Sequence, residues 1–336
     1  MTATAEVIVD PDVVAATPGR AAFAPVRGTL FQQPWWLDAV APGGWSAVRV
    51  LHDGELVGYL PYLDDSFPGL RFSTQPVLTP ALGPWVRPTT DDYRHALAYE
   101  HEVIAKLISA LPRFDYVLQR CPPTFTNGLP FVWAGFDVRV GYTYRLTQLD
   151  DLDRVWSGLA TQRRRAVRKA QRTLEVVEGG ELDPLLRLGD VPFHRARMRV
   201  PYERDTVRRV DAACRAHDAS SMLVARDADG EDRAAVYLVH DEHATYYLLG
   251  GQDEVGRSSG ATTLLLWEAI RHASARSTLF DFYGSRIESI ERFFRSFGAR
   301  QVPYLVVSRT GARLRPILPL ARMARHVARG WSWRHG

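Results

Sequence analysis

The feature that most constrains the fold is a strand–turn–strand pattern that occurs twice. An Asp53-Gly54 pair separates two apolar runs, and an Asp229-Gly230 pair separates two more. Asp-Gly between apolar runs is a strong signal for a β-hairpin. Later segments also correspond, 115–119 with 281–283 and 135–140 with 297–302. A repeat at an offset of roughly 160 to 175 residues indicates two copies of a whole domain rather than a short solenoid repeat.

Length and composition agree with two globular domains. The chain has 336 residues, and domains average roughly 150 residues. No apolar run approaches the ~20 residues that span a bilayer, and the N-terminus carries no signal-peptide pattern. Cys121 and Cys214 lie far apart and form no metal or redox motif. We therefore expect a cytoplasmic protein with no metal and no tightly bound cofactor.

Each half mixes hairpins with helices, which predicts an α/β (α+β) fold. Helices are predicted over 33–40, 92–111, 152–174, 206–217 and 261–275. The predicted organisation is a disordered leader over 1–28, an N-terminal domain over 29–147, a C-terminal domain over 148–310 and a basic tail over 311–336. The tail could contact an anionic membrane or nucleic acid as an amphipathic helix, although a solvated terminal helix is the alternative.

The segment 246–304 carries the most chemistry. An apolar strand runs into a Gly/Ser/Arg loop, the loop opens a helix, and a second strand ends in Asp281-Phe282-Tyr283-Gly284. A strand, a glycine loop and a helix N-terminus together form a site for an anionic group. The corresponding region of the first half is the Pro-rich segment 64–90, with no such loop. We therefore place the chemistry in the second half.

Several motifs resemble those of a known superfamily. They are 264–270, 280–284, the Phe-Phe-Arg-Ser-Phe-Gly of 293–298, the basic helix 161–172 and the opening 33–37. At these motifs the chain resembles the GNAT acyltransferases, and more closely the Fem family of tandem-GNAT transferases, which build peptidoglycan cross-bridges from aminoacyl-tRNA. The resemblance implies two tandem GNAT-like domains, each a mixed, mostly antiparallel sheet flanked by helices, and an acyltransferase that forms an amide bond.

Two departures from the family patterns leave the acyl donor open between aminoacyl-tRNA and acyl-CoA. Fem-like sequences usually carry lysine directly after the first Phe of Phe-x-x-x-Phe-Gly, where this chain has Phe294, and the nearest cation is Arg295. GNAT enzymes that use acyl-CoA typically show Arg/Gln-x-x-Gly-x-Gly/Ala. The segment from Arg257 to Thr262 matches that pattern only in part.

The predicted donor site lies around the glycine loop. Backbone N–H groups at a helix start, with an arginine beside them, can hold a phosphate. The alternative is a plain strand-to-helix connection capped by Ser259 or Gly260. The predicted donor-binding residues are Leu249, Gly256, Arg257, Gly260, Ala261, Thr262 and Arg295.

The predicted acceptor site uses the basic helix. Arg164 and Arg168 are four residues apart and share one helix face. The Fem resemblance implies that this helix contacts the diphosphate of a nucleotide-linked acceptor, and arginine is suited to that by its bidentate fork. A solvated helix face is the alternative. Tyr202 is predicted to line the acceptor pocket.

Asp281 and Tyr283 are the predicted catalytic residues. Aminolysis requires a neutral amine, so a carboxylate such as Asp281 would accept its proton, and the Tyr283 hydroxyl would return one to the leaving group. Strand alternation would put both side chains on the same side of the sheet. The alternative is that Asp281 braces the following turn. His240 and His243 resemble a metal pair, but they flank a probable hairpin turn without further ligands.

Three functions remain open from the sequence. The first is a Fem-like transfer from aminoacyl-tRNA to an amine of a cell-wall precursor or peptide-like molecule. The second is an acyl-CoA-dependent N-acetyltransferase of cell-surface polymer or secondary metabolism. The third is a non-catalytic binding protein. The basic balance of the chain, a formal net charge of +4, suits anionic partners in all three.

Overall fold

The computed structural model describes residues 28–67, 69–89, 92–195, 197–284 and 287–315. The predicted leader, except Gly28, and the predicted tail after Arg315 therefore lie outside the described residues. By its contacts the chain divides into two units. The first comprises the described residues up to Gly141 and from Tyr304, and the second is Tyr142–Pro303. The sequence alone predicts boundaries after 147 and 310, whereas the contacts place them after Gly141 and Pro303.

The first unit is built around the first predicted hairpin, which the structure confirms. Trp45 pairs with Leu63 and His52 with Glu55 in an antiparallel ladder. After a 3₁₀ turn at Leu30–Gln32, the elements are α1 (Pro34–Val40), β1 (Trp45–His52), β2 (Glu55–Leu63), β3 (Asp65–Phe67), β4 (Leu70–Ser73), β5 (Trp85–Val86), α2 (Tyr93–Ser109), β6 (Tyr116–Arg120), α3 (Leu129–Trp133) and the start of β7 (Asp137–Thr147).

Helix α2 covers the sheet of this unit. Its N-terminus is capped by Asp92, whose side chain accepts the N–H of Arg94 at 3.0 Å. A Cβ placed on Gly58 of β2 would lie 2.5 Å from Cγ1 of Val103, so α2 packs directly on the strand backbone. The buried side chains of α2 are Val103, Ile104, Leu107 and Ile108, a spacing that gives one apolar helix face.

The second unit contains one mixed sheet with strand order β7-β12-β11-β10-β9-β8. All neighbouring strands are antiparallel except β11 and β12. This confirms the predicted mixed, mostly antiparallel sheet. The elements are α4 (Leu152–Gly158), α5 (Thr161–Ala170), β8 (Leu174–Glu178), α6 (Asp183–Arg195), α7 (Arg204–Ala216), β9 (Ser220–Asp227), β10 (Asp232–His240), β11 (Ala244–Gln252), α8 (Glu254–Ser259), α9 (Ala261–Ala273), β12 (Leu279–Asp281), α10 (Glu288–Arg295) and β13 (Arg300–Thr310).

The helix predicted over 152–174 is two helices, α4 and α5. The chain is extended at Leu159 and Ala160. Leu159 is 2% exposed, and the Ala160 N–H donates to the Ser296 carbonyl at 2.9 Å. The break buries Leu159 and gives the Ala160 amide a distant partner, which local helix propensity does not reveal.

The two copies of the repeat exchange their last strands. In β7, the last strand of the first copy, residues 145–147 pair with β12 of the second unit. In β13, the last strand of the second copy, residues 306–310 pair with β6 of the first unit. Each unit therefore contains a strand that the other copy of the repeat supplies. None of the helices in the described ranges is long and apolar enough to cross a bilayer.

Candidate donor and acceptor site

The sheet of the second unit opens between β11 and β12. The two strands pair in parallel over three residues, ending with Tyr246 opposite Asp281. Beyond that pair β11 continues to Gln252, whereas β12 ends. No strand in the described part of the chain pairs with this side of β11 after Tyr246. The opening, which we call the β11–β12 wedge, exposes strand-edge amides and carbonyls to a ligand.

A β-bulge lies at the mouth of this wedge. Tyr237 of β10 is opposite Leu249, but the next residue, Leu238, is opposite Tyr247. Leu248 is therefore the extra residue of β11. Bulges bend a strand and re-aim its backbone groups, and they are frequent beside active sites. The bulge adjoins Leu249, one of the predicted donor-binding residues.

Of the two glycines after the bulge, Gly251 permits a close approach of helix α6, and Gly250 leaves room for the Tyr247 side chain. A Cβ on Gly251 would overlap the carbonyl oxygen of Leu188 and lie 2.8 Å from Cα of Gly189. A Cβ on Gly250 would lie 2.5 Å from the Tyr247 hydroxyl. Helix α6 therefore rests on the backbone of β11 and closes one side of the strand.

The predicted glycine loop is largely helical. Residues Glu254–Ser259 form α8, capped by Asp253, whose Oδ1 accepts the Gly256 N–H at 2.6 Å. Gly260, with φ of 84°, ends α8 and starts α9. The left-handed backbone at Gly260 suits glycine. The Thr262 N–H lies 3.4 Å from Oε1 of Gln252, and Ala261 is fully buried.

Arg257 is available to a ligand at this helix junction. Its side chain is exposed, and no hydrogen bond or ion pair joins it to another described residue. Gly256 beside it is a packing residue, since a Cβ there would collide with the carbonyl of Arg233. The junction therefore combines a helix N-terminus with one unpaired guanidinium, as anion binding requires.

The basic helix α5 lies against the same junction. A Cβ on Gly260 would be 3.7 Å from the carbonyl oxygen of Ala166 and 4.0 Å from Cβ of Ala170. Arg165 and Lys169 directly precede these two alanines and are exposed. No carboxylate within the described ranges pairs with either of them. Helix α5, which contacts the helix junction, thus carries two exposed, unpaired cations that the sequence did not single out.

Arg164 and Arg168 lie on another face of α5. Each precedes one of the two contacting alanines by two positions, which is about 200° around the helix. Arg164 donates to the Ser157 carbonyl at 3.0 Å, and the Arg168 guanidinium lies 5.6 Å from the ring of Trp156. The neighbouring Arg163 donates to Ser296 at 2.7 Å, and burial lowers its pKa. Arg164 and Arg168 therefore already contact residues of α4, Ser157 and Trp156.

Asp281 is tightly held at the end of β12. It is 3% exposed, its Oδ2 accepts from Nε of Arg145 at 2.7 Å, and its Oδ1 accepts from the Thr143 hydroxyl and from the Tyr283 N–H. Arg145 and Thr143 belong to β7. Both carboxylate oxygens are thus occupied by protein donors, an arrangement that braces the turn after β12.

The strand-alternation argument for Tyr283 is wrong. β12 ends at Asp281, and Tyr283 has a positive φ of 62°. A left-handed residue outside the strand does not follow the two-residue period of a strand. The turn is confined further by Gly284, whose added Cβ would lie 3.1 Å from Cα of Thr143. Asp281 reaches Tyr283 through the backbone N–H, at 2.9 Å.

Tyr202 lies over helix α6, on the part that contacts β11. Its hydroxyl is 3.6 Å from a Cβ built on Gly189, and its ring meets that of Phe193 edge-on at 6.1 Å. Burial, with a smaller effect of Asp190, raises the pKa of Tyr202 to about 12. The hydroxyl is therefore neutral at physiological pH and can act as a hydrogen-bond donor.

Phe294 stands where Fem-like sequences usually carry lysine, and Arg295 is the nearest cation. Phe294 is 5% exposed, and its ring lies 5.0 Å from that of Phe282 and 6.1 Å from that of Tyr247. Arg295 donates to Glu291 at 2.9 Å. The position of the family lysine is thus part of an aromatic core, and Arg295 has a carboxylate partner.

No metal centre is found among the described residues. His240 ends β10 and His243 lies in the turn before β11, so the pair flanks a hairpin turn. Sequence reasoning missed Thr143, Arg145, Arg165 and Lys169. The first two are far from Asp281 in sequence, but the density of basic residues in 161–172 was a signal for the last two.

Comparisons with known proteins agree with this architecture. Residues 159–295 match the family described as an acetyltransferase (GNAT) domain. This range contains α5, the β11–β12 wedge, the helix junction and α10. A comparison with curated protein sequences finds no match.

Solved structures share the fold at low sequence identity. FemX superposes with a TM-score of 0.61 at 13% identity, over 83% of this chain and 92% of that one. L-PGS from Bacillus licheniformis gives 0.50 at 10% identity, over 87% and 91%. A conserved protein of unknown function from Bacteroides thetaiotaomicron gives 0.50 at 11% identity, over 82% and 88%. At such identities the likeness describes the fold alone.

Proposed function

We propose that this chain, whose residues 159–295 match the acetyltransferase (GNAT) domain family, transfers an acyl group from acyl-CoA to an amine, forming an amide. The observation that carries the proposal is the β11–β12 wedge with its bulge at Leu248. An extended thioester arm with amide groups can pair with an open strand edge as an added strand would. A backbone N–H of the bulge would stabilise the oxyanion, usually the largest contribution in acyl transfer.

The phosphates of the donor would lie at the helix junction. The start of α9 supplies N–H groups around Ala261 and Thr262, Arg257 supplies a guanidinium, and Arg165 and Lys169 supply further positive charge. Gly256 and Gly260 shape this junction, and Leu249 would contact the thioester arm. Arg295 would have to leave Glu291 to reach a phosphate, so we assign it a minor part.

The proton transfers are assigned to the turn after β12. We propose that Asp281 is a positioning residue, which holds Tyr283 through its N–H and is itself held by Arg145. The Tyr283 hydroxyl would protonate the leaving thiolate as its C–S bond breaks. The proton that the attacking amine loses as the amide C–N bond forms would pass through water to the tyrosinate, which restores the hydroxyl. The acceptor amine would approach past Tyr202, and Arg164 and Arg168 would attract an anionic acceptor.

Aminoacyl-tRNA is the second candidate donor. The resemblance to the Fem family implies it, with a cell-wall precursor or a peptide-like molecule as acceptor, and the exposed cations of α5 would suit an RNA backbone. The buried Phe294 at the position of the family lysine favours acyl-CoA. Contact of the tail with a membrane and a cytoplasmic location stay predictions from the sequence.

A thermal-shift comparison tests the proposal. A ligand that binds only the folded state at 100 times its Kd stabilises by about 2.7 kcal/mol, so acetyl-CoA should raise Tm clearly and charged tRNA should not. We expect Arg257→Gln to weaken acetyl-CoA binding about tenfold, equivalent to about 1.4 kcal/mol. Arg154→Gln, an exposed arginine outside the site, is the matched control.

The outcomes separate the candidates. A shift with charged tRNA alone would replace acyl-CoA by the second donor. A shift with neither would contradict both and favour a non-catalytic binding protein. Release of free thiol from acetyl-CoA in the presence of an amine then measures turnover directly.

A further inference from the structure

We infer that the first unit carries a second ligand site, a basic cavity that binds a phosphate group attached to an apolar or aromatic body. The cavity has a volume of about 1090 Å³ and lies between the end of α2, α3 and the start of β4. The end of β13 closes it. All its lining residues belong to the first unit, whereas the proposed donor site belongs to the second, so the two sites share no residue.

The residues that line the cavity carry more positive than negative charge. Four of them are arginines, Arg71, Arg113, Arg309 and Arg313, and one is acidic, Asp115. Asp115 accepts the backbone N–H of Arg71 through Oδ2 at 2.9 Å and keeps its negative charge. The excess of positive charge attracts anions.

Two of these arginines have no counter-ion. Arg71 pairs with Asp64 at 2.6 Å, and Arg313 donates to the Gly69 carbonyl at 3.2 Å. For Arg113 and Arg309, no carboxylate partner exists in the described part of the chain.

Arg309 is the more constrained of the two. It is half-buried, its guanidinium lies 4.5 Å from the ring of Phe136, and burial lowers its pKa. Removing a cation from water without a counter-ion costs free energy. A phosphate, with its bidentate geometry toward arginine, would offset that cost.

Part of the cavity lining is apolar and includes an exposed aromatic ring. Ile108, Phe114 and Pro130 line it together with Trp133, which is 65% exposed. The Trp133 ring meets His101 edge-on at 5.0 Å, which leaves most of the indole to solvent. A large exposed aromatic side chain at a cavity rim fits the apolar or ring portion of a ligand.

Within the described residues no carboxylate pairs with Arg113 or Arg309. An anionic ligand from outside the chain therefore fits the positive charge of this cavity.

Calorimetric titration of the full chain with phenyl phosphate and with inorganic phosphate tests this site. We expect phenyl phosphate to bind more tightly than inorganic phosphate, and Arg113→Gln and Arg309→Gln each to weaken both by about tenfold. Trp133→Ala should weaken phenyl phosphate alone. The control Arg94→Gln removes an exposed arginine of α2 outside the cavity and should change neither Kd. Arg257→Gln, at the donor site, should also leave phenyl phosphate binding unchanged.

Vesicles distinguish the source of the phosphate. Binding to phosphatidylglycerol but not phosphatidylcholine vesicles, lost in Arg113→Gln, would identify a lipid headgroup. Phenyl phosphate binding without vesicle binding would identify a soluble organic phosphate. The inference is overturned if phenyl phosphate does not bind, if Arg113→Gln and Arg309→Gln bind it like the original chain, or if Arg94→Gln weakens it equally. Arg113 is exposed, so we expect Arg113→Gln to fold normally. It therefore still tests binding if Arg309→Gln misfolds.

Discussion

Gly251 is the residue at which packing and the proposed chemistry meet most directly. We expect Gly251→Ala to destabilise the fold by about 1–3 kcal/mol, the usual cost of overpacking, because the added methyl overlaps the backbone of α6 at Leu188. Urea unfolding measures the effect. A matched control is Gly158→Ala, where nothing lies within 4 Å of an added Cβ. Equal stability of the two variants would contradict the close packing of α6 on β11.

His240 makes stability depend on pH. Burial, aided by the charge of Arg276, lowers its pKa, and its Nε2 is buried with no hydrogen-bond partner in the described part of the chain. The unfolded chain then binds the proton more readily than the folded one, so the free energy of unfolding rises with pH. The full contribution is present above about pH 6.5, the ordinary value for histidine, and is lost as the pH falls.

Urea titrations at pH 7.5 and 5.5 test this dependence. We expect a smaller free energy of unfolding at the lower pH, and a smaller difference between the two values in His240→Asn. The nearby His272, whose pKa burial also lowers, keeps part of the dependence in that variant. An unchanged difference in His240→Asn would show that His240 is not responsible.

The sequence indicates which individual residues carry the chemistry, but not which residues they contact. Asp281, Tyr283 and Arg257 stood out by motif, and the structure puts Asp281 in a network with Thr143 and Arg145. Those partners are more than 130 positions away, and no local pattern links them to Asp281. The positive φ of Tyr283 was equally hidden, since tyrosine rarely adopts it.

Among the elements, α5 offers a direct test of the site. We expect Arg165→Gln with Lys169→Gln to raise the KM for the acyl donor about tenfold, because both are unpaired cations on the helix that contacts the junction, and to reduce its salt dependence. Arg168→Gln with Arg172→Gln removes the same charge from α5 and the turn that follows it and should leave the donor KM unchanged. Steady-state kinetics at two salt concentrations measure this, and equal effects of both pairs would indicate a diffuse charge effect.

Helices and strands with local sequence signals could be predicted, whereas features that depend on distant residues could not. The hairpins β1–β2 and β9–β10 were predicted because Asp-Gly turns are local signals, and α9 because its apolar run is long. The break at Leu159 and Ala160 depends on Ser296, and the register shift at Leu248 depends on the pairing of β10 with β11. The sequence predicts a loop where the structure has α8. Asp253 caps this helix, but the neighbouring glycines and serines are more typical of a loop.

The exchange of strands predicts how the whole chain can be divided. A fragment of 142–303 keeps the β7 residues that pair with β12, whereas a fragment of 148–310 loses them and carries residues 304–310 without β6. We expect cooperative urea unfolding, followed by circular dichroism, for the first fragment and a broad or absent transition for the second. Similar transitions for both would show that the exchanged strands contribute little to stability.

The exchange also bears on how such a chain can evolve. A duplicated copy that has no donor loop would ordinarily be free to decay or to disappear. Here the amino-terminal copy donates the strand that carries Thr143 and Arg145, the two anchors of Asp281. Deleting that copy would remove both anchors from the carboxy-terminal copy, so the second copy cannot keep this arrangement without the first.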